Sequence, residues 1–189
     1  KLEISKINQE VIEIILIEEE ILRGTAGGLK GILDSHNVSY PFLLLNCDTI
    51  IKFTDDDLKE FSKTAQLFSA GMKGKLFLTQ ARKNQTPVDI DNSGILNFNK
   101  DGRFNYCGVS VWNDIYDFLP KEIPSELGTV WIEMTRKSML EGALFPLEIF
   151  SVGTLDEFED VSRHFDDELH APEGNSGDHF QERVKKFYI

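Results

Sequence analysis

Phe42-Leu43-Leu44-Leu45-Asn46-Cys47-Asp48 is the stretch on which the reading of this chain turns. Four apolar residues run without a break and end in a polar turn that carries a carboxylate. A continuous run, rather than an alternating one, predicts a strand buried on both faces, as in a parallel sheet covered by helices. Upstream, Val11 to Ile17 is a similar run broken by Glu13. Between the two, Gly24 to Ser35 places Leu29, Ile32 and Leu33 at helical spacing. Strand, glycine turn, helix, strand is the βαβ order of α/β proteins. The expected fold is therefore Rossmann-like α/β, doubly wound, with a mostly parallel mixed sheet.

Further along, Thr54 opens a helix whose first turn holds Asp55, Asp56 and Asp57, where acids meet the positive end of the helix dipole. Lys75 to Ala81 reads as a strand. Turn clusters at Asp91–Gly94 and Asn99–Gly102 flank Ile95–Phe98, which predicts a small β meander. Phe104 to Trp112 reads as a strand with Gly108 inside it, Asn113 as the cap of a short helix ended by Pro120, and Glu133 to Leu140 as helical. Leu147 to Val152 is the last expected strand. Thr154 and Glu157 then have capping-box spacing at the start of a helix. Past Phe165 the chain turns acidic and rich in Gly, Asn and Pro, so an irregular, mobile segment is expected. This divides the chain into an α/β domain, 1–162, and an acidic C-terminal tail or linker, 163–189.

The 189 residues suffice for one domain with a sizeable core. The net charge of −12 argues against nucleic acid as a partner, since phosphate backbones need a basic footprint. Leu155 to Glu182 holds ten acids against one base and so accounts for nine of those twelve charges. The body is nearly balanced. No apolar run reaches the length of a membrane span, so no membrane partner is expected. Cys47 and Cys107 sit in apolar surroundings and read as reduced thiols, which suits the cytoplasm. The histidines and acids between His164 and His179 lack zinc-site spacing and read as solvated.

Two stretches carry candidate chemistry. In Glu20 to Leu29, three glycines within five residues remove Cβ atoms where a strand turns into a helix. A flat base could lie against bare backbone there, with free N–H groups facing it. Taken alone, a glycine-rich turn is as well explained by a tight turn. Asp48, at the end of an apolar strand, lies where open α/β sheets bind ligands and is a hard-oxygen donor suited to Mg²⁺. Alone, it could equally cap the turn that follows.

Taken together and in order, Glu20…Gly24-Thr25-Ala26-Gly27-Gly28 and Pro41 to Asp48 resemble the sugar-phosphate nucleotidyltransferases. Phe104 to Val111 resembles that family's sugar-contacting strand, and Phe150-Ser151-Val152-Gly153-Thr154 its closing strand–Gly-Thr–helix element. The likeness runs from about Val11 to Asp160 and comes nearest to guanylyl- or uridylyltransferases for mannose-, heptose- or muramic-type sugar phosphates. It implies a reaction of a nucleoside triphosphate, GTP or UTP, with a sugar 1-phosphate to give a nucleotide sugar and pyrophosphate. It implies further that Gly24, Thr25, Ala26, Gly27 and Gly28 line the nucleotide, that Gly108 lets the sugar approach, and that Asp48 is the catalytic Mg²⁺ ligand, with Ser151 at the second metal position. A homo-oligomer is left open. Two features depart from the family pattern. The 189 residues contain no counterpart of its opening glycine-rich loop with Arg and Lys, and Ser151 stands where the family carries Asp. The alternative expectation is therefore a nucleotide- or sugar-nucleotide-binding homologue with impaired turnover.

Overall fold

The computed structural model describes residues 15, 17–52, 54–80, 87–99, 101–145 and 148–169. The strand expected at Val11–Ile17 falls mostly outside them; Ile15 and Ile17, which are described, have no regular structure.

Helix α1 spans Gly24–Ser35 and is followed by strand β1, Phe42–Leu45. Strand β2, Thr49–Lys52, and helix α2, Asp55–Gln66, come next. Thr54 caps α2 as expected: its hydroxyl accepts from Asp57 N–H at 3.2 Å, and its own N–H donates to the Asp57 carboxylate at 2.7 Å. Strands β3, Gly74–Gln80, β4, Pro87–Ile90, β5, Leu96–Phe98, and β6, Phe104–Trp112, follow, and β4–β5 is the expected meander. A 3-10 turn at Tyr116–Phe118 leads to helix α3, Leu127–Arg136, strand β7, Leu140–Leu144, strand β8, Glu148–Ser151, and helix α4, Leu155–Leu169.

The main sheet is mixed. β6 is its central strand: one edge pairs with β3, and the other is shared between β4, at Phe104 and Asn105, and β1, at Val109 to Trp112. β7 continues the sheet beyond β3 in parallel. Strands β1, β3, β4 and β7 run in one direction, with β6 and β5 against them. β2 and β8 form a separate antiparallel ribbon.

Side chains that alternate along β3 divide the core. Leu76 and Leu78 join Trp112, Ala26 and Leu29 of α1, and Leu127, Val130 and Met134 of α3. Phe77 points the other way, to Val109, Val111, Ile149 and the α2 ring Phe61. Helices thus cover both faces. The exposure of Leu43 and Leu45 runs against the expectation of a β1 buried on both sides.

Other expectations are corrected. The glycines at 24–28 do not form a turn before the helix but are its first turn. α3 starts at Leu127 rather than near Glu133, and Leu140 opens a strand. Asn113 caps no helix; the short 3-10 turn starts after Ile115. α4 continues through the boundary expected at 162, and the rings of His164 and Phe165 pack on Phe150 of β8 at 5.0 and 5.4 Å. The rest of the expected tail, 170–189, lies outside the described residues.

Candidate functional site

A cavity of about 180 Å³ opens where the edge of β6 passes from β4 to β1. Asn46 and Asp48 reach it from the end of β1, Thr49 from β2 and Thr79 from β3. Tyr106, Cys107 and Gly108 of β6 form its floor, and Ile149 and Ser151 of β8 close it. Asp48, Gly108 and Ser151, far apart in sequence, are thus brought together.

Gly108 has φ +86°, and the β3–β6 register shifts between Leu76 and Leu78, opposite this part of β6. A bulge of this kind kinks the strand and needs a residue that tolerates positive φ. A Cβ at Gly108 would lie 2.5 Å from Thr49 Oγ1 and 3.2 Å from Asn46 Cβ. Its carbonyl accepts the Asn46 N–H at 2.8 Å. The glycine therefore lets the β1–β2 turn, with Asp48 on it, sit directly against β6.

The electrostatics of the cavity are simple. Burial pushes the Tyr106 phenol well above its ordinary value and the Cys107 thiol up to about 12, so both are neutral at physiological pH. The Tyr106 hydroxyl donates to Ser110 Oγ at 3.3 Å, and its ring meets Trp131 edge-on at 4.8 Å. Asp48 is the only carboxylate among the described lining residues, and no Lys or Arg is among them.

The Asp48 carbonyl accepts from Val152 N–H at 2.9 Å, which fastens the turn to the exit of β8. Beside it, a Cβ built on Gly153 would meet Asp48 Oδ2 at 3.1 Å and Glu157 Oε2 at 3.7 Å. Ser151 Oγ donates to that same Glu157 oxygen at 3.2 Å. Mg²⁺ takes hard oxygen ligands, of which the cavity lining offers the Asp48 carboxylate, and among the described residues no group of three or more His, Cys, Asp or Glu side chains could hold a metal ion.

The glycine cluster lies elsewhere. None of Gly24 to Gly28 lines the cavity. The N–H groups expected to be free are occupied: Ala26 and Gly27 donate to Ser125 O at 2.9 and 3.4 Å, and Thr25 donates to Glu126 Oε2 at 3.4 Å. The Thr25 hydroxyl donates to Glu126 Oε2 at 2.7 Å and accepts from Leu127 N–H at 2.9 Å, so it caps α3. A Cβ on Gly27 would press on Ile123 Cγ2 at 2.9 Å. Close approach of residues 123–126 accounts for Gly24 and Gly27. Sequence reading missed Ser125 and Glu126, which carried no motif. It also missed the contact of Glu157 with Ser151, although the capping-box spacing had singled Glu157 out.

No family model matches the chain, and no curated protein matches it in sequence. Solved structures do match in shape. UDP-glucose pyrophosphorylase, crystallised with UDP-glucose, superposes with a TM-score of 0.64 at 11% identity, over 80% of this chain and 65% of that one. The chain shares the fold of the sugar-phosphate nucleotidyltransferases. HddC from Yersinia pseudotuberculosis, complexed with GMP-PN, gives 0.58 at 14% identity over 79% and 65% of the two chains. A putative glucose-1-phosphate thymidylyltransferase from Bacillus anthracis gives 0.60 at 10% over 84% and 66%. The chain thus spans just under two thirds of the length of each. No helix among the described residues is long and apolar enough to cross a membrane.

Proposed function

We propose that this chain is a nucleotidyl-transfer domain that joins a nucleoside triphosphate to a sugar 1-phosphate. The observation that carries the reading is the convergence of Asp48, Gly108 and Ser151 on one polar cavity, in a fold shared with enzymes crystallised with UDP-glucose and GMP-PN. The sugar-phosphate oxygen attacks the α-phosphorus, a new P–O bond forms, and the bond to pyrophosphate breaks. Positioning and charge neutralisation do most of the work in such transfers. Asp48 would hold a Mg²⁺ ion at the cavity, which would supply positive charge to the phosphate oxygens, and the Gly108 bulge fixes where Asp48 stands. Tyr106 and Cys107, held neutral by burial, keep the floor free of repulsion for an anionic substrate. The amide of Asn46 and the hydroxyls of Thr49 and Thr79 give uncharged donors for sugar or ribose hydroxyls. GTP or UTP is the expected nucleotide.

A second reading keeps the binding and not the turnover. It is favoured by the lack of Lys and Arg among the described lining residues, since each lost electrostatic partner costs roughly two or three powers of ten in rate. Calorimetry with UDP- and GDP-sugars, beside pyrophosphate release from UTP and GTP with sugar 1-phosphates, separates the two. Binding with release supports transfer, and binding alone supports the second reading. No binding to any nucleotide overturns both.

A further inference from the structure

Mannose- and heptose-type sugars are neutral, whereas muramic-type sugars carry a carboxylate. We infer that the cavity takes the neutral kind: Asn46, Thr49 and Thr79 bind ring hydroxyls, and Asp48 turns away sugars that bear an acidic group. This rests on the reading of the cavity as the sugar site of a nucleotidyl-transfer domain.

Size, hydrogen bonding and charge carry it. A volume of about 180 Å³ falls below the about 300–1,000 Å³ of sites that enclose a whole drug-sized ligand, so the cavity suits one sugar ring rather than a nucleotide sugar. Asn46 reaches it from the end of β1, Thr49 from β2 and Thr79 from β3. Their side chains make no hydrogen bond with other described residues. The other hydroxyls of the lining are spent, that of Ser151 on Glu157 at 3.2 Å and that of Tyr106 on Ser110 at 3.3 Å. An amide and two hydroxyls both donate and accept, which is what the hydroxyls of a sugar require. Gly108 lets two of the three come close to β6, since a Cβ there would lie 2.5 Å from Thr49 Oγ1 and 3.4 Å from Asn46 Cγ. The charge in the lining is negative. Asp48 is its carboxylate, no Lys or Arg is among the described lining residues, and burial holds Tyr106 and Cys107 neutral. A carboxylate on the sugar would lose water beside a like charge and meet no counter-charge among these residues. A cation on Asp48 would serve the phosphates, whose own charge it offsets. A hydroxymethyl group in the same place keeps its hydrogen bonds and meets no repulsion.

The test compares UDP-glucose with UDP-glucuronate, and GDP-mannose with GDP-mannuronate, by calorimetry on the full chain with Mg²⁺ present. Each pair differs by a hydroxymethyl against a carboxylate. UDP-glucuronamide, neutral and of the same shape as the glucuronate, separates charge from size. For the nucleotide that binds, the acid should bind at least about tenfold more weakly than the neutral sugar, and the amide should follow the neutral sugar. Thr79→Lys brings a counter-charge into the cavity and should narrow the difference between acid and neutral sugar at least about fivefold, which a purely structural role of Thr79 would not produce. Urea unfolding checks that the variant is folded. Equal binding of acid and neutral sugar overturns the inference and leaves the transfer reading standing. An amide that binds as weakly as the acid also overturns it, because shape then decides. So does an unchanged preference in folded Thr79→Lys. If neither pair binds at all, the transfer reading itself falls, and the inference with it.

Discussion

Replacing Gly108 by alanine tests whether this residue shapes the cavity. Its φ of +86° lies where an L side chain costs about 1–2 kcal/mol. The added methyl would also stand 2.5 Å from Thr49 Oγ1 and 3.2 Å from Asn46 Cβ. Thr49 can turn its hydroxyl away at about 1 kcal/mol, and Asn46 needs to give by only a few tenths of an ångström. The sum is about 2–3 kcal/mol. Gly94 provides the control: its φ is +85°, and a Cβ there meets nothing within 4 Å. Gly94→Ala should cost the backbone strain alone, about 1–2 kcal/mol. With a urea dependence of about 2 kcal/mol per molar, the Gly108 variant should unfold about 1 M earlier than wild type, and the Gly94 variant at about half that shift. Displacing Asn46 and Thr49 should also abolish sugar-nucleotide binding measured by calorimetry, while Gly94→Ala binds as wild type. Equal midpoints and equal binding in the two variants would refute the argument that Gly108 is glycine because the β1–β2 turn presses on it.

Asp48→Asn should leave the urea midpoint nearly unchanged and cut any pyrophosphate release by at least a hundredfold, whereas unchanged release removes Asp48 from the catalytic role. Lys75 and Glu141 form a buried ion pair at 3.2 Å, and Lys75 also donates to the carbonyls of Thr64 and Leu67. Lys75→Met should therefore destabilise by about 3–5 kcal/mol in urea unfolding, and adding Glu141→Leu should return part of it. Thr25→Val removes both hydroxyl bonds to Glu126 and Leu127 and should cost about 1–2 kcal/mol by the same measurement. Cys107 is buried with its thiol pushed up to about 12, while Cys47 is exposed. At pH 8 a disulfide reagent should therefore titrate one thiol in the native protein and two after unfolding.

Much of the architecture was legible in the sequence because local signals agreed with the final packing. Phe104 to Trp112 reads as a strand and is one, and Thr54 and Thr154 begin helices by capping chemistry that is entirely local. Errors arose where tertiary contacts overrode local signals. The helix expected over Glu133 to Leu140 ends at Arg136, and Leu140, a good helix former, instead opens a strand that pairs in parallel with β3 and buries it completely. α3 holds Gly128, Thr129 and Val130, which weaken a helical reading, although Leu127, Val130 and Met134 do mark its buried face. The continuous run in β1 suggested burial on two faces, yet only alternate residues are covered. At the site, Asp48, Gly108 and Ser151 could be named from motif order. The occupation of the α1 N–H groups by Ser125 and Glu126 could not, because it links residues about a hundred positions apart.

The link between Thr25 and Glu126 has a bearing on how the chain folds. Each residue closes the other's helix end, so neither α1 nor α3 has its first turn fully bonded until both are docked. All of β1 to β6 lies between them in sequence. Closing so long a loop costs chain entropy that only the intervening sheet can offset. The glycine-rich helix start should therefore form late, consolidating an already laid sheet, and α1 should be among the first segments to lose amide protection when the protein is destabilised.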